Sequence, residues 1–107
     1  MKIGPHHYGV KTPLSAVLSD GVLKNHDDFN TFRTPGRYTI PAGVAHNTRN
    51  QPYAFKGECY LYVIKNTVHG ADYILQHMLG VKGRKVALYH RVYDHSRKRW
   101  GNWKTWL

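Results

Sequence analysis

Apolar and polar positions along this chain read as strands most clearly between residues 57 and 93. GECYLYVIKN (57–66) is dense in β-branched and aromatic residues, apolar on both faces, and so predicts a central strand. KVALYHRVY (85–93) alternates: Val86, Leu88, His90 and Val92 fall on one face, and Tyr89, Arg91 and Tyr93 on the other. The aliphatic set is expected to face the core, and the Tyr-Arg-Tyr set to face outward or toward a neighbouring subunit. Between them, HGADYILQHML (69–79) fits a strand or a short helix, and local pattern alone does not choose. VKGRK (81–85) is a turn centred on Gly83, and TPG (34–36) leads into a short strand, RYTI, stopped by Pro41. Close spacing and Gly-centred turns argue for antiparallel pairing. No amphipathic helix of ordinary length appears. The expectation is a mainly β domain, a small antiparallel sheet or sandwich with room for one short helix.

The rest of the pattern sets the organisation. Residues 1–24 are punctuated by Gly and Pro (IGPHHYG, KTPLS, SDG) and read as an arm or linker, so the domain is expected over 25–107. HDDFNTF (26–32) carries Asp27, Asp28 and Asn30, residues that favour turns and caps. AGVAHNTRNQP (42–52) is a polar loop. At the far end Trp100, Trp103 and Trp106 are spaced by three, and Gly101 and Asn102 argue against a helix there. Trp100 and Trp103 suit a role as core plugs; Trp106 suits an exposed or interface position.

Charge changes this picture at one end only. The formal net charge is +10, and Lys82–Leu107 holds Lys82, Arg84, Lys85, Arg91, Arg97, Lys98, Arg99 and Lys104 against Asp94 alone. Such a field favours polyanions: acidic polysaccharide, anionic head groups or nucleic acid.

Several chemistries find no footing. The single Cys59 allows no internal disulfide and no cysteine-based zinc site, and within CYLYVI it reads as a small buried hydrophobe. Eight histidines include the adjacent His6 and His7 and the strand-flanking His90 and His95, but none forms a spaced ligand set, so no metal is expected. Six acidic residues offer only one adjacent pair, Asp27 and Asp28, which cannot face each other across a cleft. No phosphate-binding glycine loop is present, so no cofactor is expected. No apolar run reaches membrane-spanning length, and the first residues lack the apolar stretch of a secretory signal. The residues therefore predict a non-enzymatic protein without membrane insertion.

The order of the pieces carries more than any one of them. DDFNTFRTPGRYTI, NQPYAFKGECYLYVI, DYILQHML and VALYHRVYDHSRKRWGNWKTW follow one another with Asp28, Asn30, Pro35, Gly36, Tyr38, Asn50, Pro52, Gly57, Leu61, Val63, Tyr73, Gln76, Tyr89, Arg91, Trp100 and Trp103 at the marked positions. This resembles the pyocin-knob module of bacteriophage tail fibres and R-type pyocin fibres, over roughly Asn25 to Leu107. The resemblance implies a small, mostly β, non-catalytic module of a homotrimeric fibre or tailspike, located in the virion. Its place there would be near the receptor-binding end, or between stalk and enzymatic parts. On that footing the expected partners are further copies of the chain and host-surface polysaccharide or lipopolysaccharide, ahead of nucleic acid. Tyr89, Arg91, Tyr93, Arg97, Arg99, Lys104 and Trp106 are the expected ligand-binding residues, because rings stack on sugars and guanidinium groups pair with acidic ones. A purely structural trimerisation segment and a small basic nucleic-acid binder are the competing readings.

Overall fold

The computed structural model describes residues 19–106, with Trp106 described through its backbone only. It is one open sheet. Seven strands make it up: β1 (Gly21–Val22), β2 (Gly36–Ile40), β3 (Cys59–Val68), β4 (Ala71–Lys82), β5 (Lys85–Asp94), β6 (Arg99–Trp100) and β7 (Lys104–Trp106). Their order follows the chain from β1 to β6, and β7 also pairs with β5. The mainly β expectation holds, and the ambiguous stretch 69–79 is strand from Ala71 onward. Two features differ from it. The β1–β2 pair is parallel, so the sheet is mixed. The folded unit also starts before Asn25, because β1 is hydrogen-bonded to β2 and Leu23 lies in the core. Predictions made for residues 1–18, His6 and His7 included, and for the Trp106 side chain lie outside the described residues.

The long meander β3–β4–β5 follows from local chemistry. β3 turns into β4 through His69 and Gly70, both at positive φ (50° and 80°), which matches the right-handed twist of the flanking strands. Gly83, at φ 68°, opens the equally short turn into β5. These two turns fix the register: Tyr62 lies opposite His77, which lies opposite His90, and Leu61 lies opposite Met78, which lies opposite Tyr89.

Period two then separates two faces. One face carries Tyr38, Ile40, Cys59, Leu61, Val63, Gln76, Met78, Ala87, Arg91 and Tyr93 and is covered by the loops on either side of β2, which contribute Phe29, Ala45 and Phe55 to the core. Gly80 lies on this covered face, in the middle strand, because Phe55 lies on top of it: a Cβ there would come within 2.7 Å of the Phe55 ring. The opposite face carries Ile64, Leu75, Leu79, Leu88 and Val92. Ile64 and Val92 remain 47% and 39% exposed, and the flanking Val81 and Val86 reach 60% and 66%.

The faces of β5 are thus the reverse of those expected. Tyr89, Arg91 and Tyr93 point into the loop-covered side, and Val86, Leu88 and Val92 point away from it. Hydrophobicity alone misassigns this strand, because a buried arginine that is hydrogen-bonded and stacked can outcompete valines for the inside.

Candidate functional site

Arg91 organises the covered face. It sits at the centre of β5, opposite Gln76 of β4. Its Nε donates to Gln76 Oε1 at 2.8 Å, and Gln76 Nε2 donates onward to the backbone oxygens of Phe29 and Phe32 at 2.7 and 2.9 Å. Two indoles lie against the guanidinium: its carbon is 4.3 Å from the Trp100 ring centre and 4.4 Å from that of Trp103. Each indole is anchored in turn. Trp100 Nε1 donates to the Asn30 carbonyl at 3.2 Å, and Trp103 Nε1 donates to the Asn50 carbonyl at 2.8 Å.

The loop ends of this clasp close on each other. Asp28 caps the 3-10 turn Phe29–Thr31 by accepting from the backbone N–H of Asn30 at 2.9 Å, and accepts a second bond from Asn50 Nδ2 at 2.7 Å. Asn50 takes a left-handed backbone conformation, φ 63°, which Asn tolerates better than most residues. Short backbone bonds, Phe29 N–H to Arg49 O and Arg49 N–H to Asp27 O, zip the two loops together. Asp28, Asn30, Asn50, Gln76, Arg91, Trp100 and Trp103, far apart in the chain, form one connected structure.

The electrostatics suit an internal role. Arg91 is 6% exposed, and burial pushes its guanidinium down to about 10, opposed by the charge of Asp28, so it stays cationic at neutral pH. Burial raises the Asp28 carboxyl. The bonds from Asn50 and Asn30, then the charges of Arg49 and Arg91, outweigh that and hold it below its ordinary value. Arg91 Nη2 and Asn30 Oδ1 are buried without a hydrogen-bond partner among the described residues, so much of the attraction on the cation comes from the two ring faces.

The remaining predicted ligand residues fall into two places. Tyr89 stacks at 6.2 Å on Tyr53, and Tyr93 packs edge-on against Trp100 with Arg33 over its own ring at 4.2 Å, so both belong to the covered side. Tyr89, Arg91 and Tyr93 do not form the outward row expected of them. At the β5–β6–β7 edge Arg97 and Arg99 line one depression and Lys104 lines its neighbour. These adjoining depressions share Gly101 and Asn102. One, of about 370 Å³, is lined by Asp94, Arg97, Arg99 and Trp100; the other, of about 430 Å³, by His90, Arg91, Val92 and Lys104. Asp94 is committed locally, accepting from Ser96 and from the Arg97 N–H, and its contact with Arg97 Nε is 3.7 Å and exposed, hence weak.

Other candidate chemistry is absent from this surface. Cys59 is fully buried, and burial followed by the nearby Glu58 pushes its thiol up to about 12, far from nucleophilic. Asp27 accepts from the Lys24 N–H, so both members of the acidic pair serve turns. Among the described residues no three His, Cys, Asp or Glu side chains gather as metal ligands, and no helix is long and apolar enough to cross a membrane.

Comparison of the chain with family models, with curated proteins and with solved structures finds no match in any of the three.

Proposed function

We propose that this chain is a non-catalytic module of a bacteriophage tail fibre or tailspike, carried in the virion as a homotrimer. Its contributions are fibre assembly and contact with host-surface polysaccharide or lipopolysaccharide. The observation that carries the reading is the division of labour between the two faces of the sheet. Seven of the residues on which the knob resemblance rests, Asp28, Asn30, Asn50, Gln76, Arg91, Trp100 and Trp103, meet as an internal clasp, and the opposite side of the three long strands leaves Ile64, Val81, Val86 and Val92 exposed on either side of a row of Tyr62, His77 and His90. A domain built this way is completed by a neighbour.

The glycan half of the proposal rests on the β5–β6–β7 edge. Arg97 and Arg99 line one depression there with Trp100, and Lys104 lines a second that shares Gly101 and Asn102 with it. Guanidinium groups pair with carboxylate or phosphate by two parallel hydrogen bonds, and an indole offers a face to a sugar ring. Asp27, Asp28 and Asp94 hold turns, Asp20 accepts from the Arg37 N–H, Glu58 accepts from Tyr60, and Asp72 accepts from Thr67 and pairs with Lys65; the reading assigns the chain no reaction.

The test is retention on immobilised lipopolysaccharide and capsular polysaccharide at low and physiological salt. A variant with Arg97, Arg99 and Lys104 all changed to Ser is expected to lose at least about tenfold in affinity, because each exposed ionic contact is individually modest but the three act together. Equal retention of the variant removes the glycan role. Tighter binding to duplex DNA than to any glycan at the same salt replaces the whole reading with nucleic-acid binding.

A further inference from the structure

We infer that the end of the sheet at the β4–β5 turn holds a second binding site, for an anionic sugar: a hexose bearing a carboxylate or a phosphate. The class of ligand rests on the glycan reading above. The location does not, since β5 is 10 residues long and puts ~30 Å between this turn and the Arg97–Arg99 depression.

The site is a depression of about 480 Å³ lined by Tyr53, Lys56, Gly57, Glu58, Val81 and Gly83. That size suits a small molecule. Its walls are set by the core. Tyr53 packs edge-on against Phe55 at 4.9 Å, and Phe55 is buried over Gly80. Val81, next along β4, keeps 60% of its surface exposed. A Cβ added at Gly57 or Gly83 would meet nothing within 4 Å, so a ligand can come close to the backbone at both.

Cations gather around this depression. Lys82 and Lys85 end the β4–β5 ladder as directly opposed partners, with Gly83 and Arg84 between them. Lys82, Arg84, Lys85 and Lys56 are all exposed. The Lys82 ammonium is held in place, 4.5 Å over the Tyr53 ring and 3.4 Å from the Tyr89 hydroxyl. Residues 81–85 include no carboxylate. Glu58, in the wall, accepts from the Tyr60 hydroxyl at 3.0 Å.

The hairpin itself has no use for this charge. Like charges directly opposite on neighbouring strands destabilise a sheet. A local choice that works against the fold is expected at a functional position, and a ligand of opposite sign accounts for it. The mixed wall narrows the ligand further. Lysine and arginine take the acid group, Tyr53 and Val81 meet the apolar C–H face of a sugar ring, and the Glu58 carboxylate accepts from a sugar hydroxyl. A chain of phosphates offers nothing to that carboxylate and is repelled by it.

The test is titration of the isotope-labelled 107-residue chain with glucuronate, a hexose phosphate, glucose and inorganic phosphate, read by amide NMR shifts, with circular dichroism to verify folding. Saturable shifts at Gly57 and Gly83 are expected with an acidic sugar, and affinity for glucose at least about tenfold lower. Lys56→Gln with Lys82→Gln is expected to weaken binding at least about tenfold. Lys24→Gln with Lys65→Gln, which removes the same net charge elsewhere, is expected to leave it unchanged. Lys85→Glu is expected to raise the melting temperature, by relieving the opposed lysines, and to weaken binding. Inorganic phosphate that reproduces the sugar shifts at equal affinity means an adventitious ion only and overturns the site. Tighter binding of a single-stranded oligonucleotide at the same amides overturns the sugar. Retention on polysaccharide with Gly57 and Gly83 unshifted overturns this site and leaves the edge reading standing. A chain that neither shifts nor is retained overturns both.

Discussion

At the scale of single residues, Arg91 has the most to lose. Removing its side chain strands Gln76 Oε1 in the core and takes away the cation that both indoles contact. A hydrogen bond to a charged group contributes about 1.5–3 kcal/mol, and a desolvated cation–ring contact about 2. Arg91→Ala is therefore expected to cost about 3–4 kcal/mol, and Arg91→Lys less than that but well above zero, since an ammonium has no planar face to lay on a ring. Urea unfolding midpoints check this; an Arg91→Ala variant as stable as the parent contradicts the clasp. Gly80 is the second sensitive position. A methyl group there meets the Phe55 ring at 2.7–2.9 Å, so Gly80→Ala is expected to destabilise by about 1–3 kcal/mol through overpacking. Trimming the ring in Gly80→Ala/Phe55→Leu should restore part of that loss, and strictly additive effects of the two changes would show that ring and strand do not touch.

Among the elements, the strands were legible in the sequence and their facing was not. Alternation and turn residues suffice to place β2, β3 and β5, because β-branched and aromatic runs between Gly and Pro admit few alternatives. β4 needed its partners: a segment such as DYILQHML is committed to a strand only by pairing with β3 and β5 on both sides. The inward turn of Arg91 was hidden because it depends on residues from four distant segments: Gln76, Trp100 and Trp103, and the loops holding Asn30 and Asn50. A sign was present all the same. Gln76, Arg91, Trp100 and Trp103 stand among the residues that carry the knob resemblance, and polar residues that share a pattern with tryptophans fit an internal network as well as a binding face. For the same reason the edge cations Arg97, Arg99 and Lys104 could be grouped from their spacing, whereas Tyr89 and Tyr93 could not be assigned to the correct side. A pH effect belongs at this scale too. Burial, and then the charge of His90, lowers the pKa of His77 in the folded protein. The unfolded chain consequently binds the proton more readily, so stability declines as pH falls through the ordinary histidine value of about 6.5 toward the lower folded value. The other titratable or charged groups in that row are Tyr62, His90, Arg37 and Lys104, none of which supplies a carboxylate to counter the new charge. A melting temperature that falls between pH 7.5 and 5, with a smaller fall in His77→Gln, is expected.

For the molecule as a whole, the two sides of one sheet are assigned different work. The loop-covered side holds the core, which runs from Leu23 to Tyr93, and a clasp that ties both long loops to the central strands. The open side leaves Ile64, Val81, Val86 and Val92 exposed on the meander, and Arg97, Arg99 and Lys104 line the depressions at its β5–β6–β7 edge. The most direct test of this account is the mass of the purified chain in solution by light scattering at neutral pH. The account predicts a species of three times the 12.4 kDa of one chain. A single-chain mass for the unmodified protein at every concentration would contradict it.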